Sequence, residues 1–97
     1  MTKNEILKTL KIIKTDFKNT GIDIIGIFGS VAKDTATKNS DIDILYDTIK
    51  GIENLHDKKL LLKEKLENVF GTKVDLASRK YLKTYVKDEI MKELIYV

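Results

Sequence analysis

Two stretches decide the fold: Ile22-Asp23-Ile24-Ile25-Gly26-Ile27-Phe28-Gly29-Ser30 and, ten residues on, Asp41-Ile42-Asp43-Ile44-Leu45-Tyr46. The first is β-branched and nearly continuously apolar as far as Phe28. It reads as a strand buried on both faces, hence a central one. Gly29-Ser30 follows at once, and Ser30 is expected to cap a short helix running through Ala32 and Asp34. Thr35 to Ser40 is a polar connection, and residues 41–46 are a second strand.

Outward from this pair, residues 3–19 predict an amphipathic helix. Ile6, Leu10, Ile13 and Phe17 recur at helical spacing, and Asn19-Thr20-Gly21 ends the run. After a loop at Asp47 to Gly51, residues 53–70 predict a second long helix with Leu55, Leu62, Leu66 and Val69 on one stripe. Lys73-Val74-Asp75-Leu76-Ala77 is a short third strand. From Arg79 onward, Leu82, Val86, Ile90 and Met91 predict a last helix. Leu94-Ile95-Tyr96-Val97 either finishes that helix or adds an edge strand. The expected architecture is α/β (α+β): a small mixed sheet of three or four strands with helices packed on it.

Composition narrows the chemistry. A chain of 97 residues is one domain's worth, so residues 1–97 are expected to form a single domain. There is no cysteine and only one histidine, His56, which excludes thiol chemistry and a histidine-rich metal centre. Any metal is expected on carboxylates, which favours magnesium or manganese. No apolar run approaches the ~20 residues of a membrane span, and the first residues lack a signal-peptide pattern, so a cytoplasmic protein without membrane contact is expected. The net charge of +3 is spread as +3 over residues 1–20, −2 over 21–72 and +2 over 73–97. With one arginine and no tryptophan, nucleic-acid binding is disfavoured. His56 is expected on a solvated helix start, and Tyr81, Tyr85 and Tyr96 as core or interface aromatics.

The informative residues are those that break local rules. Aspartate is depleted in strands, yet Asp41, Asp43 and Asp75 fall in or at them. Asp41 and Asp43, two apart, point to one face roughly 6–7 Å from each other, while Ile42 and Ile44 point to the core. Like charges side by side repel and gain nothing for folding. A lone Asp-x-Asp is ordinarily a solvated edge or turn, and a lone Gly-Ser an ordinary capped turn. Together they differ: glycine admits a ligand close to the backbone, and a strand-to-helix turn offers free N–H groups to phosphate. Phosphate donors and metal-binding carboxylates are then expected at the same end of adjacent strands, as nucleotidyl transfer requires.

Gly29-Ser30-Val31-Ala32-Lys33 followed by Asn39-Ser40-Asp41-Ile42-Asp43-Ile44-Leu45, with Asp75 as a third carboxylate, resembles the signature of the DNA polymerase beta-like nucleotidyltransferase superfamily. More narrowly it resembles the minimal nucleotidyltransferases (MNT) that act as antitoxins in HEPN–MNT pairs. The resemblance is close over residues 29–47 and looser over nearly the whole chain. It implies a polymerase beta-like fold. It also implies that Asp41, Asp43 and Asp75 bind two magnesium ions, with Asp75 a candidate general base. Gly29 and Ser30 would hold the β- and γ-phosphates, and Lys33 would add charge there. It implies ATP as donor and a tyrosine hydroxyl of a partner HEPN ribonuclease toxin as acceptor.

Two positions depart from the family pattern: Lys33 stands where arginine is usual, and Asp34 where glycine is usual. Asp34 is expected to bring negative charge near the triphosphate and weaken nucleotide binding. That departure opens a second reading, a catalytically weak module that neutralises its toxin by complex formation. A third, transfer to a small molecule as in aminoglycoside nucleotidyltransferases, would need an acceptor-binding domain that this length leaves no room for. A complex with the toxin is expected, and a homodimer when the chain is alone.

Overall fold

The helical spacing of apolar residues near the N-terminus produces α1 (Lys3–Lys18), which buries Ile6, Leu10, Ile13 and Phe17. Thr2 starts it with a capping box: its hydroxyl accepts from the Glu5 N–H, and the Glu5 carboxylate accepts from the Thr2 N–H. The computed structural model describes all of residues 1–97. The remaining elements are β1 (Ile22–Phe28), α2 (Gly29–Ala32), β2 (Ile42–Thr48), α3 (Leu55–Phe70) and β3 (Val74–Ser78). A 3₁₀ turn (Arg79–Tyr81), α4 (Thr84–Glu93) and β4 (Ile95–Tyr96) complete the chain.

The four strands form one mixed sheet in the order β3-β2-β1-β4. β1 is central, as its apolar run predicts. It pairs antiparallel with both β2 and β4. β2 and β3 are parallel, joined through α3, with Asp43 opposite Asp75. The C-terminal residues therefore add the edge strand rather than extend the last helix.

One face of the sheet carries the main core. Ile22, Ile24 and Ile27 of β1, with Ile42, Ile44 and Tyr46 of β2, pack with α1 and α3. The other face is covered by α4, where Ile25, Leu45 and Ile90 form a smaller cluster with Phe28, Ala77, Leu82 and Val86 around it. A register shift between Ile24 and Gly26 lets Ile24 and Ile27 share one face while Ile25 serves the other. Gly26 itself leaves space for β4: a Cβ there would lie 2.1 Å from the Ile95 carbonyl oxygen.

Some expected details change. In α3 the buried line is Leu62, Leu66 and Phe70, while Val69 is 44% exposed. The steps of four keep Phe70 over the sheet, and its larger side chain closes that end of the core. Of the core-or-interface expectation for Tyr81, Tyr85 and Tyr96, the core half fails: all three are exposed, Tyr81 on the 3₁₀ turn and the others off the face of α4 and β4 that meets the sheet. His56 is exposed at the start of α3, as expected. No helix is long and apolar enough to cross a membrane.

Candidate active site

The sheet brings the rule-breaking residues together at one end. Phe28, the last residue of β1, pairs with Asp43 on β2, and Asp43 pairs with Asp75 on β3. The chain turns directly after Phe28 into α2. Gly29 makes that turn with φ of +74°, a conformation that L side chains rarely adopt. A Cβ at Gly29 would lie 2.1 Å from Asp43 Oδ2, so the absence of a side chain lets this carboxylate lie against the backbone.

Asp43 is only partly exposed, whereas Asp41 and Asp75 are exposed on either side of it. Burial raises the Asp43 carboxyl above its ordinary value, and the negative charges of Asp75, Asp41 and Glu93 add to the effect, opposed by Lys33. Asp41 sits just ahead of β2, where two local contacts lead into the strand. Ser40 Oγ accepts from the Thr37 N–H at 2.9 Å, and the Ile42 N–H donates to the Lys73 carbonyl at 3.0 Å.

Sequence reasoning places Ser30 at the helix cap; the structure does not. Gly29 is already helical, Phe28 occupies the cap position, and no side chain caps the helix. The tight departure from β1 starts the helix one residue early, leaving Ser30 inside its first turn. Lys33 ends α2, with its ammonium 3.4 Å from Glu93 Oε2. Asp34, with φ of +61°, pairs with Lys3 at 2.9 Å and is 71% exposed. It turns toward α1, not toward Asp43. The positive φ supplies a physical reason why glycine would suit this position.

Glu93, the last residue of α4, was not legible as a site residue. Its Oε1 accepts from the Gly29 N–H at 2.9 Å across 64 residues of chain. The only local sign is an acid at the end of an amphipathic helix, where a positive side chain is the more favourable choice.

Chemically, this end of the sheet suits a hard divalent cation. The negative charges of Asp41, Asp75 and Glu93 all bear on Asp43, and Lys33 is the positive charge that opposes them. Their side chains do not form a ready-made cluster of three ligands. A cation would therefore have to draw them in.

Residues 6–97 match the family model described as a nucleotidyltransferase domain. The chain belongs to that family. This nucleotidyltransferase is 35% identical over 98 residues to the protein adenylyltransferase MntA of Thermococcus cleftensis, covering 100% of this chain and 97% of that protein. A solved minimal nucleotidyltransferase superposes with a TM-score of 0.84 at 25% identity, over 100% of this chain and 97% of the other. A toxin–antitoxin structure containing AMP-PNP shares the fold with a TM-score of 0.68 at 22% identity, over 99% of this chain and 72% of the other.

Proposed function

We propose that residues 1–97 form a single minimal nucleotidyltransferase domain that acts in the cytoplasm as an antitoxin. It would transfer AMP from ATP to a tyrosine hydroxyl of a HEPN-type toxin. The observation that carries the reading is the junction of Gly29 with Asp43, with Asp75 in register beside Asp43. Close backbone approach and a carboxylate set meet there, as transfer from a nucleoside triphosphate needs. The protein target is supported by the MntA relative, and the toxin partner by the toxin–antitoxin neighbour.

In this reading Asp41, Asp43 and Asp75 would hold two magnesium ions. Bound magnesium would neutralise phosphate charge and lower the pKa of the acceptor hydroxyl. The Gly29 N–H, the Ser30 hydroxyl and the Lys33 ammonium bind and orient the phosphates. Asp75, exposed beside Asp43, takes the proton of the attacking hydroxyl. The acceptor oxygen bonds to the α-phosphorus as its bond to the β-phosphate bridge breaks, and pyrophosphate leaves. The protein's contribution is chiefly positioning and charge neutralisation.

The test is the intact mass of the protein encoded beside this one after incubation with this chain, magnesium and ATP. A gain of AMP, absent without magnesium and absent with Asp41→Asn, is the expected result. No gain while the two proteins co-elute would overturn catalysis in favour of neutralisation by binding. No gain and no co-elution would overturn the assignment of that partner.

A further inference from the structure

Glu93 reaches the two groups that the proposed function assigns to phosphate. Oε1 takes the Gly29 N–H at 2.9 Å, and Oε2 lies 3.4 Å from the Lys33 ammonium. The two oxygens of one carboxylate thus meet a backbone donor and a cation, as two oxygens of a phosphate group would. The Glu93 side chain is 25% exposed, while the Lys33 side chain it pairs with is 54% exposed. The contact is held against opposition, since the aspartates across the turn carry the same charge.

We infer that Glu93 is an internal occupant of the phosphate cradle, which the nucleotide must displace in order to bind. The inference rests on the reading of Gly29 and Lys33 as phosphate-holding groups and adds a regulatory step to it. Triphosphate and Glu93 cannot share the Gly29 N–H, and their negative charges repel. The surrounding backbone limits how Glu93 leaves. Leu94 is extended, and Ile95-Tyr96 is paired to β1, with the Ile95 carbonyl filling the space above Gly26. The carboxylate therefore leaves by swinging its side chain, while its backbone stays tethered. A tethered competitor has a high local concentration. Glu93 then weakens nucleotide binding and, on returning, competes with pyrophosphate for the same donors.

The experiment uses the full chain and its variants Glu93→Ala and Glu93→Gln. Magnesium–AMP-PNP and inorganic tripolyphosphate are titrated by calorimetry at fixed ionic strength, and the Gly29 amide is followed by NMR. Glutamine keeps the size of the side chain and removes its charge, so it decides the matter if the alanine variant does not fold. The expected result is tighter binding of both ligands by about tenfold in Glu93→Ala, the loss of one competing charge-assisted hydrogen bond, and a smaller gain in Glu93→Gln. In the parent chain the Gly29 amide and the Glu93 carboxyl carbon shift together on titration. Unchanged or weaker binding in the folded variants, with the Gly29 amide still responding to ligand, would overturn occlusion and leave the phosphate reading standing. A Gly29 amide that no ligand moves in any of the proteins would overturn both.

Discussion

Asp43 and Gly29 occupy one space: the Asp43 carboxylate lies where any side chain on residue 29 would begin, 2.1 Å from that point. The two residues are 14 apart in sequence and meet because Phe28 pairs with Asp43 across β1 and β2. Glycine here serves two needs, a left-handed turn and room for a carboxylate.

Gly29→Ala should therefore do more than strain a turn. The positive φ and the clash together should destabilise the fold by about 1–2 kcal/mol. Asp43 would also have to rotate away, which should abolish transfer. Urea unfolding of Gly29→Ala, Asp43→Ala and the double variant checks this. The double variant should be more stable than the sum of the two single effects implies, because removing the Asp43 carboxylate removes the clash.

Asp43→Asn should abolish transfer and leave the fold intact. Its stability should also depend on pH in a set direction. Burial and like charges raise the Asp43 carboxyl in the folded state. The folded chain then holds this proton more tightly than the unfolded chain does. The stabilisation from the bound proton is complete below the ordinary aspartate value near 3.8 and fades as pH rises through the folded value. Asp43→Asn lacks that loss, so it should gain on the parent chain as pH rises from 3.5 to 7. Solvent screening limits the gain to about 0.5 kcal/mol. Melting temperatures across that range would show it, and a constant gap between the two proteins would contradict it.

Asp34→Gly should leave nucleotide affinity within about twofold, since an exposed, ion-paired carboxylate exerts only a screened field. Its pairing with Lys3 on α1 is the reason. Relief of the positive φ should outweigh loss of the exposed ion pair, for a net gain of about 0.5 kcal/mol. Calorimetry and thermal unfolding test the two parts separately. A large rise in affinity would mean that the carboxylate reaches the triphosphate after all.

Arg79 offers a contrast at the far end of the sheet. It pairs with Asp47, whose side chain is largely buried and has one oxygen without a partner. Arg79→Ala should lower stability by about 1–3 kcal/mol by leaving that carboxylate unpaired. Transfer measured below the melting transition should be unchanged, because Asp47 lies beyond Leu45 and Tyr46 from the aspartates at the start of β2. A loss of transfer in the folded variant would show that the two ends of the sheet are coupled.

Much of this architecture is written locally. The spacing of Ile6, Leu10, Ile13 and Phe17 specifies a helix and its buried face. The nearly continuous apolar run of residues 22–28 specifies a central strand. Asp41, Asp43 and Asp75 stand out because each sits in or beside a strand without a folding benefit, so the conflict itself marks them. Less regular positions were not readable in this way. The choice of Phe70 over Val69 depends on how α3 lies across the sheet, and the start of α2 at Gly29 depends on where β1 stops pairing.

By itself, then, the sequence determined most of the elements, the buried face of α1 and the residues at odds with local propensity, since these follow from periods of two and 3.6 along the chain. Tertiary structure alone decided the turn of Asp34 toward Lys3 and the reach of Glu93 to Gly29. Those contacts join residues 31 and 64 positions apart. Their partners are chosen by strand register and by the seating of helices on the sheet, which no repeat along the chain encodes.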